Sequence, residues 1–260
     1  METFKSTEAL LSWIIDFFAQ KFGNSAILKG GMSLRLMHSP RYTNDVDYVF
    51  IPFDSKKDVK TLVEEALSLV DGLMFRISMN SKALRIIVDY AGQQAQIEIN
   101  VEMECPSIAM SSSLLSIPYG YPARIIRVME PGVAFAHKIA AWNERELMRD
   151  FYDVYQYESL FKTEPQMEIL HRRLKNSRSY KNIVAAKDIK GLIEKMRKCA
   201  ESLTENSFAE LVPLLETVEL AGLSFRMRPS ILALCDKMEK NASLIEIFAA
   251  DYRKESHNNS

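Results

Sequence analysis

Residues 27–51 read ILKGGMSLRLMHSPRYTNDVDYVFI, and the order of signals in that stretch decides the fold. The apolar run Ala26-Ile27-Leu28 predicts a short strand. Gly30-Gly31 turns it into a brief helical pattern, Met32-Ser33-Leu34-Arg35-Leu36-Met37, and a loop then leads to a strand carrying Asp45 and Asp47. Glycines at a strand-to-helix turn permit positive φ and close approach of a ligand to the backbone. The free N–H groups of the following helix would hold an anion such as a triphosphate, and the Ser33 hydroxyl would add one donor. A double glycine alone is equally the mark of an ordinary tight turn.

Asp45-Val46-Asp47 adds the second half of the signal. Side chains two apart on a strand share a face, so both carboxylates project together while Val46, Tyr48 and Phe50 face a core. Two such acids repel unless a cation neutralises them, and Mg²⁺ favours hard oxygen ligands. Paired Mg²⁺ ions clamp the attacking and leaving oxygens of an in-line phosphoryl displacement. The plain alternative is a solvated strand end with two surface acids.

On these residues the stretch resembles the DNA polymerase β-type nucleotidyltransferase superfamily, whose signature is a Gly-Gly or Gly-Ser turn followed by Asp-x-Asp. More narrowly it resembles the AbiEii/AbiGii toxin family of type IV toxin–antitoxin systems. Members carry Lys-Gly-Gly-Thr-x-Leu and then Arg-x-Ser/Thr-x-Asp-Leu/Ile-Asp, and Arg41, Thr43, Asp45 and Asp47 occupy the positions of the second motif. Met32 stands where the family has threonine, so that hydroxyl is either lost or supplied by Ser33. The resemblance covers about Leu28 to Tyr155. It implies an α/β (α+β) fold: a mixed sheet with flanking helices in residues 1–130, then a helical domain in 131–260 that completes the nucleotide site.

Around this centre the chain reads as follows. Ser6 to Phe22 has a helical period closed by Gly23-Asn24, and Lys56 to Val70 reads as a second helix. Three strand-like runs follow, Leu73–Met79, Leu84–Tyr90 and Gln94–Met103, separated by the turns Asn80-Ser81 and Ala91-Gly92. In the last run Ile97, Ile99 and Val101 face a core and Gln96, Glu98, Asn100 and Glu102 share the other side. The superfamily places its third carboxylate on a strand beside Asp-x-Asp, and relatives show Lys-Ile-Asp/Glu-Ile there. That registers Glu98 as the third acid, a metal ligand and acceptor of the nucleophile's proton, with Gln96 in the lysine position and Glu102 as the fallback. Arg85 resembles a basic position in relatives and would touch the nucleotide; a surface arginine explains it equally well. Ala109 to Pro118 reads as a loop, and Arg124 to Met129 as one more strand.

A second signature lies in PGVAFAHKIAAWNERELMRDFYDVYQY, from Pro131 to Tyr157. As one unbroken helix it would place Lys138, Trp142, Arg145, Arg149 and Asp153 in a stripe about 80° wide at about 100° per residue. Related toxins have a lysine on this helix and then Arg-Asp-x-x-Asp, which Lys138, Arg149, Asp150 and Asp153 match. The resemblance implies that Lys138 contacts the nucleotide phosphates, with Arg41 and Arg149 beside it, and that Asp150 or Asp153 supports the site. The ordinary reading of Arg149-Asp150 is a helix-surface ion pair.

Beyond Pro165 the chain reads as helices near 165–176, 184–202, 206–220, 229–238 and 241–252, ending in a polar tail, 254–260, expected to fray. The net charge of −1 conceals a basic segment: His171 to Lys198 holds ten lysines and arginines against two acids. It is a candidate RNA backbone surface or a solvated helix face.

Composition bounds the class. A 260-residue chain with 47% hydrophobic and 26% charged residues is long enough for two modest folded domains. No apolar run approaches the ~20 residues needed to span a membrane, and the N-terminus lacks a secretory pattern. Three scattered cysteines, Cys105, Cys199 and Cys235, suit a reducing cytoplasm rather than zinc or disulfides. The expectation is a cytoplasmic, Mg²⁺-dependent nucleotidyltransferase acting on an NTP. By resemblance the acceptor is RNA at the tRNA 3′ end, with abortive infection or growth arrest as outcome and a cognate antitoxin as partner. Two alternatives stay open: transfer to a protein hydroxyl, or a nucleotide-binding module of the same fold without turnover, which Met32 and Gln96 would favour.

Overall fold

The alternating segments pair into one mixed sheet. In the computed structural model, which describes residues 4–81 and 83–258, the strands are β1 (Ala26–Lys29), β2 (Asp45–Phe50), β3 (Met74–Met79) and β4 (Leu84–Tyr90). They continue as β5 (Gln93–Val101), β6 (Ser107–Ser111) and β7 (Ile125–Met129). The spatial order is β3-β4-β5-β2-β1-β7-β6. β2 runs parallel to β5 and β1 parallel to β7, while the remaining neighbours are antiparallel.

Two amphipathic helices supply this sheet's apolar partner. Helix α1 (Thr7–Phe22) begins where the Ser6 hydroxyl accepts the Ala9 N–H at 3.2 Å, an N-cap worth about 1 kcal/mol. Its buried stripe Leu10, Leu11, Ile14, Ile15 and Phe18 joins Val46, Tyr48, Phe50, Leu84, Ile86, Val88, Ile97 and Ile99 in one core. Phe18 stacks on Tyr48 with ring centroids 4.8 Å apart. Helix α3 (Lys56–Ser68) adds Val59, Val63, Ala66 and Leu67 to the same core. Each fully buried side chain of this size contributes roughly 1.5–3 kcal/mol. Strand side chains alternate, so this packing fixes Asp45, Asp47, Gln96 and Glu98 on the opposite face of the sheet.

Between β1 and β2 lies the short helix α2 (Gly30–Leu36). The stretch 109–118, expected as a loop, instead contains part of β6 and the single-turn helix α4 (Ser113–Ser116). β6 forms because Ser107–Ser111 pairs antiparallel with β7; a five-residue edge strand with two serines and an alanine carries little apolar signal.

By its internal contacts the chain divides into two units, Met1–Glu130 and Pro131–Ser260. The second is helical: α5 (Pro131–Arg145), α6 (Met148–Ser159), α7 (Met167–Lys175), α8 (Ile189–Glu201), α9 (Thr217–Leu220) and α10 (Leu223–Asn258). The unbroken helix expected over 131–157 is two helices, parted at Glu146, whose φ is +50°. Trp142 of α5 stacks on Phe151 of α6, ring centroids 4.5 Å apart, and both are buried. Helix α8 starts later than expected, where the Asp188 carboxylate accepts the Gly191 N–H at 2.8 Å. The stretch 206–220 is a 3₁₀ segment, Glu205–Leu211, and the one-turn α9. Thr204 and Ser207 cap the start of the 3₁₀ segment, and α9 starts anew after Glu216. The two last helices expected are one, α10, whose buried stripe Leu223, Met227, Ile231, Leu234, Cys235 and Met238 lies in its first half. Of the tail expected to fray, 254–258 continues α10 and residues 259 and 260 lie outside the described residues.

Candidate active site

Strand pairing brings the three acids to one face. Asp47 on β2 and Glu98 on β5 are direct register partners in the parallel pair, as are Asp45 and Gln96. On the other side of β2, Lys29 of β1 pairs in register with Asp47. Asp45, Asp47, Gln96 and Glu98 are all half-buried, in contrast to the sealed Val46, Tyr48, Ile97 and Ile99 between them.

The double glycine is required by these neighbours. Gly30 has φ +74°, and a Cβ there would overlap Asp47 Oδ2 and lie 2.9 Å from Asp47 Cγ. At Gly31 a Cβ would come within 2.8 Å of Thr43 Oγ1 and 2.9 Å of Thr43 Cβ. One glycine therefore makes room for the second aspartate and the other for the threonine two residues before the first. Thr43 in turn donates its hydroxyl to Asp45 Oδ1 at 2.5 Å, which fixes that carboxylate. The spacing Gly-Gly…Thr-x-Asp-x-Asp is a packing unit as well as a chemical one.

Neither candidate hydroxyl position on α2 presents a donor at this face. Ser33 is 1% exposed and donates to the Gly30 carbonyl at 2.8 Å, and Met32 is packed in the hydrophobic core. The donor expected from Ser33 is thus engaged by its own helix, a common back-bond for a helical serine. Arg41 is buried, 6% exposed, and donates Nη1 to the Tyr42 carbonyl at 3.2 Å; its contacts brace the loop that precedes Asp45.

Glu98 is held by two neighbours. Arg85, its register partner on β4, donates to Glu98 Oε1 from Nη2 at 2.6 Å and from Nε at 3.0 Å. Gln96 Nε2 donates to the same oxygen at 3.0 Å. Among the described residues no three histidine, cysteine, aspartate or glutamate side chains are grouped to hold a metal ion, and Glu98 is instead engaged by Arg85. The residues nevertheless fit a hard divalent cation. The donor set is all carboxylate oxygen on one face, and the space a Cβ would fill at Gly30 is taken by the Asp47 carboxylate.

In the helical unit a second ionic cluster is buried. Lys138 Nζ of α5 lies 2.6 Å from Asp153 Oδ2 and 3.8 Å from Asp150 Oδ1, both on α6. Arg145 Nη2 lies 2.7 Å from Asp150 Oδ2, without the alignment of a hydrogen bond. Asp150 and Asp153 are 2% and 0% exposed, so their charges are sustained by these two cations. The break at Glu146 is what folds α6 back so that Asp150 and Asp153 meet Lys138 rather than extend a stripe beyond it. Arg149 takes no part: its Nε pairs with Glu210 Oε1 at 3.5 Å.

The basic segment is only partly a free surface. Lys195 donates to the carbonyls of Asn143 and Val184 and pairs with Glu146. Arg197 bridges Asp236 and Glu239, Arg173 pairs with Glu144, and Lys187 donates to the Ser177 carbonyl. Arg172, Lys175, Arg178, Lys181 and Lys190 remain exposed, and Lys181 lies over the Tyr180 ring. Nothing in the residue order marks this division, since a lysine that braces a loop and one that faces water look alike.

A mixed sheet with Asp-x-Asp on one strand, a glutamate in register on the next, and a glycine turn against the second aspartate is the architecture of a nucleotidyltransferase. The sequence profile described as nucleotidyl transferase AbiEii toxin, type IV TA system, matches residues 15–213. The chain belongs to this AbiEii family, and it is a nucleotidyltransferase. Membership of a type IV toxin–antitoxin family implies a cognate antitoxin. No curated protein matches the chain in sequence.

Among solved structures the fold is similar to that of MenT4, a nucleotidyltransferase toxin from Mycobacterium tuberculosis H37Rv. That match has a TM-score of 0.60 and 20% identity over 88% of this chain and 82% of that one. JHP933 from Helicobacter pylori is similar over 95% of this chain and 100% of its own, with a TM-score of 0.54 and 12% identity. Among the described residues no helix is long and apolar enough to cross a membrane.

Proposed function

We propose that the chain transfers a nucleotide from an NTP to the 3′ end of an RNA, tRNA in the first instance, in a Mg²⁺-dependent reaction in the cytoplasm. The observation that carries this reading is the register of Asp47 with Glu98 on the face that also bears Asp45. Asp45, Asp47 and Glu98 would hold Mg²⁺, which when bound supplies Lewis-acid stabilisation of the phosphoryl oxygens. The Gly30-Gly31 turn would receive the triphosphate through the backbone N–H groups that open α2, beside the Asp47 carboxylate that Gly30 makes room for. A Glu98 carboxylate oxygen accepts the proton of the acceptor hydroxyl as its oxygen attacks the α-phosphorus. The α–β phosphoanhydride bond then breaks and pyrophosphate departs.

Lys138, which the family resemblance assigns to the nucleotide phosphates, would neutralise charge that develops on the leaving pyrophosphate, its ammonium positioned by Asp153 and Asp150. Arg41 and Arg149 have supporting parts, in the loop before Asp45 and in the pair with Glu210. Exposed Arg172, Lys175, Arg178, Lys181 and Lys190 are a backbone-binding surface for the RNA, whose affinity would fall with salt. Three free cysteines, two of them buried, are consistent with a reducing compartment.

The test is incubation of the pure protein with each α-labelled NTP, Mg²⁺ and total tRNA. Label on RNA, lost in Asp45→Ala and Asp47→Ala, is the expected result. Label on protein, or no transfer with any NTP, would refute the acceptor assignment.

A further inference from the structure

Arg85 does something the proposed chemistry does not use. It places a permanent cation on Glu98, the acid that this chemistry needs beside a divalent ion. Its planar fork reaches Glu98 Oε1 through both Nη2 and Nε, and Gln96 adds a third donor to that same oxygen. Oε1 is thereby saturated, and a guanidinium 2.6 Å from it weakens the attraction of the whole carboxylate, Oε2 included, for a divalent ion. Asp45, by contrast, is held only by a neutral hydroxyl among these contacts. The Arg85–Glu98 pair is also open enough to be exchanged, its side chains being 47% and 26% exposed, and an ion pair that exposed is worth only a few-fold in an equilibrium constant.

We infer that Arg85 is a positioning residue that keeps Glu98 off the divalent-ion site in the resting protein, so that Arg85 and the ion compete for one carboxylate. This rests on the roles proposed above for Asp45, Asp47 and Glu98. The consequence is a site that binds a divalent ion weakly until Glu98 is released. Once displaced, the guanidinium is a bidentate donor left at the edge of a face that receives a triphosphate. Ion and nucleotide therefore favour each other's arrival, because each takes one member of the pair.

The experiment uses the full chain without nucleotide and Mn²⁺ as the probe, with binding read from the electron paramagnetic resonance signal of free Mn²⁺. Arg85→Gln should tighten Mn²⁺ about fivefold, the order expected from freeing a half-exposed pair. Arg85→Lys, which keeps the charge, should stay much nearer the unaltered protein. Asp47→Asn should weaken Mn²⁺ at least about tenfold, since a ligand is lost. Mn²⁺ binding unchanged in Asp47→Asn would sink the assignment of the acid face itself. Loss of binding in Asp47→Asn together with unchanged or weaker binding in Arg85→Gln would overturn the competition and leave the acid face standing. A lysine variant that tightened Mn²⁺ as much as glutamine would overturn it too. General damage to the fold would loosen the ion, so tightening is not a structural artefact.

Discussion

Replacing Gly30 by alanine separates backbone strain from active-site chemistry. The new Cβ would lie 2.9 Å from Asp47 Cγ and 3.0 Å from Asp47 Cβ, and would overlap Oδ2. Carbon atoms in contact sit about 3.5–4.0 Å apart, and with Oδ2 overlapped as well the carboxylate must retreat by at least about 1 Å. The backbone must also keep φ +74°, which costs a residue with a Cβ about 1–2 kcal/mol. Misplacement of a reacting group by about 1 Å lowers rates by roughly a hundredfold.

Gly72 is the matched control. It has φ +75°, and a Cβ there would meet nothing within 4 Å, so Gly72→Ala carries the strain alone. Both variants should lower the melting temperature by roughly 2–8 °C, at about 2–4 °C per kcal/mol for a protein of this size. Only Gly30→Ala should lose nucleotide transfer, by about two orders of magnitude, measured with α-labelled NTP and tRNA at a temperature where both are folded. Gly30→Ala that is no slower than Gly72→Ala would refute the claim that the double glycine exists to seat Asp47.

Other perturbations have equally definite outcomes. Asp153→Ala leaves Lys138 without its 2.6 Å partner and should destabilise the helical unit by about 3 kcal/mol in urea unfolding, since breaking a buried pair strands a charge. Arg149→Ala should change stability by no more than about 1 kcal/mol, because its pair with Glu210 is 3.5 Å long and half-exposed. Burial pushes the Cys105 and Cys199 thiols up to about 11 and Cys235 up to about 12, so Ellman's reagent at about pH 8 should react with them far more slowly in the folded than in the urea-unfolded protein. The same shifts set a sign for alkaline stability. Unfolded thiols ionise from about 9.0 while folded ones keep their protons to about 11, so stability should fall as pH rises through that window.

The central sheet was legible because its strands obey a period of two and its glycines and aspartates sit at fixed offsets. Asp45 and Asp47 share a face by spacing alone, and the alternation about Ile97 and Ile99 placed Glu98 on one side of its strand. Which neighbour Glu98 would meet was not legible. Arg85 lies thirteen residues away, and only the β4–β5 register brings the two together. The helical unit was harder to read. Arg145, Glu146 and Leu147 contain no glycine or proline, so nothing local announces the positive φ at Glu146 that splits the signature into α5 and α6. Asn241 suggested a break where α10 runs on without interruption, and Pro229 lies inside that same helix. Ser33 shows a different limit: a hydroxyl beside a phosphate turn looks available in sequence, while its back-bond to Gly30 is a fact of local geometry.

The pairing of β2 with β5 has a consequence for how the gene can vary. Inserting one codon within β5 upstream of Glu98 would send Glu98 into the oily layer beneath α1 and push Ile97 and Ile99 into water, so folding and activity would be lost together. Inserting two codons would restore the sidedness of every later residue and merely slide the acid along the strand. Selection for a sheet that folds thus polices the alignment of the acids without any further constraint, and length changes of odd parity should be absent from this strand in active relatives.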